Sequence, residues 1–240
     1  MQQNQIVHAQ LLDERLTGYL RELVPARSEL LEQMEGMAKK EFIPILDLEA
    51  TTFLRLLLRL GNPKRILEIG TAIGYSAVFM AQNAPDARIL TMERDEMRVR
   101  TARSWIRKAD LETRISIWEG DAFELLKQLK ETANEWQGQA FDLIFLDAAK
   151  GQYAKFLEEV LPLLAKGGIL LSDNVLFQGY VMQEGQVKHK LRTMVNRLRE
   201  YNWLLAHHSE LDTTFLPLGD GMAVSMRKNK CLYGNISHTL

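Results

Sequence analysis

Two acids and an amide carry the first chemical signal in this sequence. Asp147 ends the apolar run FDLIFLD (141–147), and Asp173 and Asn174 end GGILLSDN (167–174). If these runs are neighbouring strands, two carboxylates and an amide carbonyl meet at one rim. Like charges that close repel unless a cation lies between them. Hard oxygen donors with room left for water and substrate suit Mg²⁺, with Mn²⁺ or Ca²⁺ able to substitute. The blander reading makes Asp173 and Asn174 loop-starting caps. Lys150 follows Asp147 by three residues and has three roles open to it: proton acceptor, phosphate contact or solvent-facing charge. Histidine offers no rival zinc site, because His8, His189, His207, His208 and His238 lack ligand spacing.

A second set of residues sits at earlier strand ends. The stretch EIGTAIGYS (68–76) supplies Glu68, Gly70, Gly74 and Ser76. Glycines there let the backbone turn tightly and approach a ligand closely. The pattern is G-x-x-x-G where a dinucleotide fold has G-x-G-x-x-G, which argues against NAD and towards S-adenosylmethionine, a cofactor without a pyrophosphate to cradle. Taken alone, such a loop can equally be structural. Glu93 ends the run ILTME, 19 residues beyond Gly74, where an acid can accept both ribose hydroxyls of a nucleoside. Gly120 and Asp121 end the third run, where an adenine amino group could be read. Three successive strand ends with glycine or acid line one rim, and ligands of open α/β sheets bind outside the carboxyl ends of the strands. The coincidence points to a nucleoside-containing cofactor.

The elements that must hold these residues follow from periodicity. Residues 10–60 read as helices: Leu11, Leu12, Leu16, Tyr19, Leu20 and Leu23 have helical spacing, and Pro25 closes that stretch. A third helix opens after Pro44, with Asp47 as N-cap and Gly61 as its stop. From Pro63 onward strands at 65–70, 87–94, 114–121, 141–147 and 167–174 alternate with helices at 75–84, 95–111, 122–133 and 152–164. Continuously apolar strands alternating with helices imply a parallel sheet covered on both faces. Near the end, 202–210 and 213–228 read as two further strands joined by a turn, an antiparallel pair at one edge. The segment RDEMRVRTARSWIRK (94–108) reads as a solvated helix over the outer face, away from the strand ends.

Composition adds exclusions. With 30 Lys+Arg against 31 Asp+Glu there is no global electrostatic footprint of nucleic-acid binding. One cysteine, Cys231, allows no internal disulfide and fits a reducing compartment. The N-terminus lacks a secretory pattern and no apolar run nears the roughly 20 residues that span a bilayer, so no membrane association and a cytoplasmic location are expected. One domain over 1–240 is expected: a helical cap (10–60), an α/β core (63–227) and a tail (228–240).

The blocks ILEIGTAIGYS, FDLIFLDAAKGQY and GGILLSDNVLFQG resemble the cation-dependent, S-adenosylmethionine-dependent O-methyltransferases, the group containing catechol and caffeoyl-CoA enzymes, over roughly residues 28–227. Within it, TAIGYSA, DAAKGQY, DNVLFQGYV and LPLGDGMAVSMRK are most similar to the bacterial tRNA 5-hydroxyuridine methyltransferases. The resemblance implies a class I methyltransferase: α/β, doubly wound and Rossmann-like, with a seven-stranded, mostly parallel sheet and an antiparallel C-terminal edge. It implies metal ligands at Asp147, Asp173 and Asn174, and cofactor contacts at Leu46, Ser76, Glu93, Asp121 and Ala122, with Glu68, Gly70 and Asp147 on the same rim. Lys150, beside Asp147, occupies the spacing of the catechol enzymes' base. A homodimer is implied as well. The linker KETANEWQGQA and the tail NKCLYGNISHTL go beyond the pattern and receive no role.

Both branches of that group share one chemistry, methylation of one of two adjacent oxygens held by the cation. A tRNA anticodon loop as partner requires basic surface near the site. Lys188, Lys190, Arg192, Arg197 and Arg199, with Lys39, Lys40 and Lys155, could supply it; a solvated helix face is the plainer account. The expected activity is therefore methylation of 5-hydroxyuridine at the tRNA wobble position, with a small-molecule catechol-type O-methyltransferase as the alternative. An NAD-dependent oxidoreductase is the distant alternative.

Overall fold

The computed structural model describes residues 13–131, 133–183 and 187–229. Part of the first expected helix, Cys231, His8, His238 and nearly all of the tail lie outside the described residues. Three helices come first: α1 (Glu14–Glu22), α2 (Glu29–Glu41) and α3 (Leu48–Gly61). Asp13 and Ser28 cap α1 and α2 through side-chain oxygens that accept from Arg15 and Leu31 amides. Asp47 stands at the N-cap position of α3 but makes no capping bond. Gly61 is the last residue of α3, and the left-handed cap is Asn62 (φ 41°).

The alternating part follows as β1 (Arg65–Ile69), α4 (Tyr75–Asn83), β2 (Arg88–Glu93), α5 (Glu96–Lys108), β3 (Ile115–Glu119), α6 (Ala122–Glu131), β4 (Phe141–Leu146), α7 (Tyr153–Val160) and β5 (Leu164–Ser172). Then come α8 (His189–His207), β6 (Leu211–Leu216) and β7 (Met222–Arg227). The sheet order is β3-β2-β1-β4-β5-β7-β6, with β7 antiparallel to both neighbours and the remaining pairs parallel. This is the seven-stranded, doubly wound sheet with an antiparallel C-terminal edge that the sequence implied. The central strands β1, β4 and β5 carry apolar residues on both faces because helices cover both: Ile66, Phe145 and Leu171 face one buried cluster with α2, α3 and α4, while Leu67, Ile144 and Leu170 face another with α6, α7 and α8.

Two expectations are corrected. The first late strand, expected at 202–210, is instead the end of α8 and the turn after it. Val195, Leu198, Tyr201 and Leu205 form one buried helical stripe, so the run Trp203–Leu204–Leu205–Ala206 continues the helix; Trp203 is 62% exposed and stacks on His207. The strands are 211–216 and 222–227. The second correction concerns 94–108. Val99, Ala102, Trp105 and Ile106 pack inward as expected, but Arg94 and Arg98 line the cleft at the strand ends.

Candidate active site

The ladder runs one residue beyond several strands and so fixes the rim. Gly70 N–H donates to Met92 O, Asp147 N–H to Ile69 O, Asp173 N–H to Leu146 O, and Gly120 N–H to Glu93 O. Gly70 has φ +105°, and a Cβ there would fall 2.1 Å from the Asp147 carbonyl oxygen. Only glycine fits where the first loop crosses β4. Beyond the rim lies a cleft of about 320 Å³, within the range of small-ligand sites.

Glu93, Gly120, Asp121 and Ala122 line it beyond β2 and β3, Asp147, Lys150, Asp173 and Asn174 line it beyond β4 and β5, and Gly70 lies between the two groups at the end of β1. The sequence-derived groups are thus brought together in one cleft. Glu93 is held by three backbone amides: Ala72 donates to Oε2 (2.9 Å), and Arg94 and Asp95 donate to Oε1 (2.9 and 3.0 Å). The Oε2 atom keeps a lone pair for a further donor. Asp121 Oδ1 accepts from Phe123 N–H (2.9 Å) at the start of α6. Such an arrangement suits the hydroxyls and amino group of a nucleoside.

Three expected contacts stand apart from the cleft wall. Leu46 is buried in the core, while its neighbours Pro44 and Ile45 line the cleft. Ser76 Oγ donates to Glu68, and so does Thr91 Oγ1, which leaves Glu68 wholly buried behind the loop. Burial, outweighing those two hydrogen bonds, pushes the Glu68 carboxyl up to about 7. The pair Glu68–Ser76 therefore shapes the loop from behind. Sequence reasoning passed over Arg94, Arg98, Ala72 and Phe156 on the cleft wall; only the adjacency of Arg94 to Glu93 hinted at any of them.

At the other end, Asp173 is 5% exposed. Burial pushes its carboxyl up to about 8, and the Asp147 charge adds to this; the Asn174 N–H (2.8 Å to Oδ1) and Lys150 pull the other way. Asn174 takes a left-handed conformation (φ 58°), which asparagine tolerates better than most residues. Tyr153 OH donates to the carbonyls of Leu146 (3.2 Å) and Asp173 (3.0 Å), tying the ends of β4 and β5 together. Ser172 Oγ and Tyr201 OH share a buried hydrogen bond of 2.6 Å that fixes α8 behind β5.

Among the described residues no group of three His, Cys, Asp or Glu side chains is placed to hold a metal. The set at this rim is two carboxylates and one amide. It fits a hard divalent cation on chemical grounds: Asp173 is buried, and the nearby Asp147 charge opposes its own. Lys150 Nζ meets Asp147 Oδ1 at 2.8 Å and balances part of that charge.

The family described as O-methyltransferase matches residues 22–228. The chain belongs to this family. The match removes the dinucleotide alternative. Catechol O-methyltransferase of Niastella koreensis is 35% identical over 182 residues, covering 73% of this chain and 79% of the relative. Caffeoyl-CoA O-methyltransferase of Populus kitakamiensis is 30% identical, covering 87% and 86%. A solved O-methyltransferase from Bacillus cereus in complex with SAH superposes with a TM-score of 0.76 at 28% identity, covering 89% and 97%. Among the described residues, no helix of this O-methyltransferase is long and apolar enough to cross a membrane.

Proposed function

We propose that the protein transfers the methyl group of S-adenosylmethionine to one of two adjacent oxygens on a small catechol- or caffeoyl-type molecule, with Mg²⁺ held by Asp147, Asp173 and Asn174 and replaceable by Mn²⁺ or Ca²⁺. The observation that carries this reading is the single cleft with nucleoside-type partners at one end and the two carboxylates and amide at the other. The relatives named for catechol and caffeoyl-CoA support the small-molecule class.

When bound, the cofactor supplies an electrophilic methyl group, and a divalent cation lowers the pKa of a paired hydroxyl. The chain's residues do the rest. Glu93 and Asp121 fix the nucleoside end; Tyr153 keeps the ends of β4 and β5 in register. Lys150, partly sheltered at the rim, acts as the neutral amine, which takes the proton of the attacking hydroxyl and becomes the ammonium that Asp147 faces. Holding donor and acceptor in line is itself a large part of such a rate enhancement.

A second reading, methylation of 5-hydroxyuridine at the tRNA wobble position, has the same chemistry, because the 5-hydroxyl and 4-keto oxygens are also adjacent. One observation favours it. Lys188, Lys190 and Arg192 are exposed at the start of α8 with no acidic partner among the described residues, and Arg197 of the same helix donates to Gly151 O beside Lys150. A homodimer is proposed alongside, supported by the exposed Leu16 and Tyr19 of α1 and Leu23 at its C-cap, and checked by sedimentation. The deciding experiment offers the purified protein, with S-adenosylmethionine and Mg²⁺, a panel of catechols and caffeoyl-CoA, and separately tRNA bearing 5-hydroxyuridine. Methylated catechol without methylated tRNA supports the first reading, and the reverse replaces it. If neither acceptor is methylated, both readings fall.

A further inference from the structure

Residues 43–47 form a strap between α2 and α3, and its Pro44 and Ile45 wall the cleft. Little holds it. Ile43 N–H donates to Ala38 O (2.9 Å), but Ile45 and Leu46 make no hydrogen bond among the described residues, and the buried Leu46 side chain is the strap's apolar anchor. Asp47 closes the strap at the N-cap position of α3, where an aspartate ordinarily accepts from first-turn amides. Its carboxylate makes no such bond. Instead Oδ1 lies 3.7 Å from Arg21 Nη2, and on the other side a Cβ at Gly219 would fall 2.5 Å from Oδ2.

Arg21 reaches the strap from α1, a helix none of whose described residues is buried. Its Nε donates to Glu49 Oε1 at 3.0 Å. Glu49, in the first turn of α3, is 6% exposed, and its Oε2 is buried with no hydrogen-bond partner among the described residues. A buried carboxylate deprived of its cation is strongly destabilising, so this contact outweighs an ordinary surface pair. One guanidinium thus faces the last residue of the strap and the first turn of the helix that follows. Past Asp47 the contact passes to the turn between β6 and β7. There Asp220 O accepts from Leu176 N–H (3.0 Å) and Gly221 O from Val175 N–H (2.9 Å), directly after Asn174. Arg21 therefore braces the strap where it abuts a turn tied to the rim.

We propose that Arg21 is a positioning residue for cofactor binding: through Glu49 and Asp47 it holds residues 43–47 in place, so that Pro44 and Ile45 form the cleft wall against which S-adenosylmethionine binds. This inference rests on the cofactor reading given above.

The test is calorimetric titration with S-adenosylmethionine of wild type, Arg21→Met, Glu49→Gln and the double variant, with urea midpoints alongside. Affinity is measured where each variant is folded, so a loss of global stability alone leaves it unchanged. Arg21→Met should weaken binding about tenfold, the scale of one hydrogen bond to a charged group. Glu49→Gln keeps an acceptor for Arg21 but not the charge, and should weaken binding about threefold. The double variant should stay near Arg21→Met, because the two side chains act as one contact. An unchanged affinity in Arg21→Met overturns the proposal even if its urea midpoint falls, since Arg21 would then be a structural tie only. A double variant weakened by the product, about thirtyfold, overturns it as well, because Arg21 would then act by a route other than Glu49. Should Arg21→Met fail to fold, Glu49→Gln decides alone: weakened binding supports the proposal and wild-type affinity overturns it. Wild type that binds no S-adenosylmethionine removes the cofactor reading and this inference together, whereas binding that no variant weakens removes the inference alone.

Discussion

Replacing Glu68 with glutamine tests whether a buried acid behind the first loop is held neutral by the fold. Glu68 is fully buried, and burial raises its carboxyl from the ordinary 4.5 to about 7. A folded protein with that shift binds more protons than the unfolded chain between the two values, so its stability falls with rising pH across that window. The stability tied to neutral Glu68 is fully present below 4.5 and is lost as pH rises through about 7. At about 1.36 kcal/mol per unit over roughly 2.5 units, the total is about 3 kcal/mol, of which about 2–3 falls between pH 5 and pH 8. Glutamine is neutral throughout and, like the protonated acid, offers one carbonyl oxygen to accept from one of the Ser76 and Thr91 hydroxyls and one donor to the other. Urea unfolding of wild type and Glu68→Gln from pH 5 to pH 8 should therefore show two curves that lie close at pH 5 and diverge by about 2–3 kcal/mol at pH 8, with the variant more stable. Asp173, raised to about 8, lowers stability over the same range in both proteins and cancels in the difference. Parallel curves would refute the argument: Glu68 would then have the same proton affinity in the folded and unfolded chain.

Asp147→Ala should lower methyl transfer more than ~100-fold while circular dichroism stays native, since it removes a ligand of the proposed cation; a wild-type rate from the chelator-treated variant would sink the metal role. Glu93→Ala should weaken S-adenosylmethionine binding about thirtyfold by calorimetry, because a charged acceptor is worth about 2 kcal/mol and the Ala72, Arg94 and Asp95 amides lose their anchor. An unchanged affinity would remove Glu93 from the cofactor site. Gly70→Ala should lower unfolding free energy by at least about 2 kcal/mol, from the overlap with Asp147 O and the positive φ together; an unchanged urea midpoint would mean the loop can shift aside.

Residues whose placement depends on strand order and strand ends were legible in the sequence. Glu93, Asp121, Asp147, Asp173 and Asn174 each follow an apolar run, and a parallel sheet puts such ends on one rim regardless of detail. Placement that depends on the roll of a helix was not. Arg94 and Arg98 belong to a segment whose polar stripe faces outward on average, yet its first turn starts at the end of β2, so these two arginines reach the cleft. Leu46 came from a resemblance, which fixes a position in the chain but not the direction of its side chain; the structure buries it. The run at 203–206 failed for a third reason, that a short apolar stretch looks alike in a strand and at the end of a buried helix.

Asp220 shows how one such error propagates. In the observed sheet β7 runs antiparallel between β5 and β6, which makes β6 parallel to β5. The turn after β6 must then emerge at the carboxyl rim, beside Asp173 and Asn174. Asp220 is far from Asn174 along the chain, yet the topology returns its turn to the residues just past Asn174, where backbone hydrogen bonds hold it. With the late strands placed at 202–210 and 213–228, Asp220 would fall inside a strand and no turn would reach the rim. Correct placement of one strand thus brings the turn that carries Asp220 to the segment just past Asn174, at the rim where Asp147 and Asp173 lie.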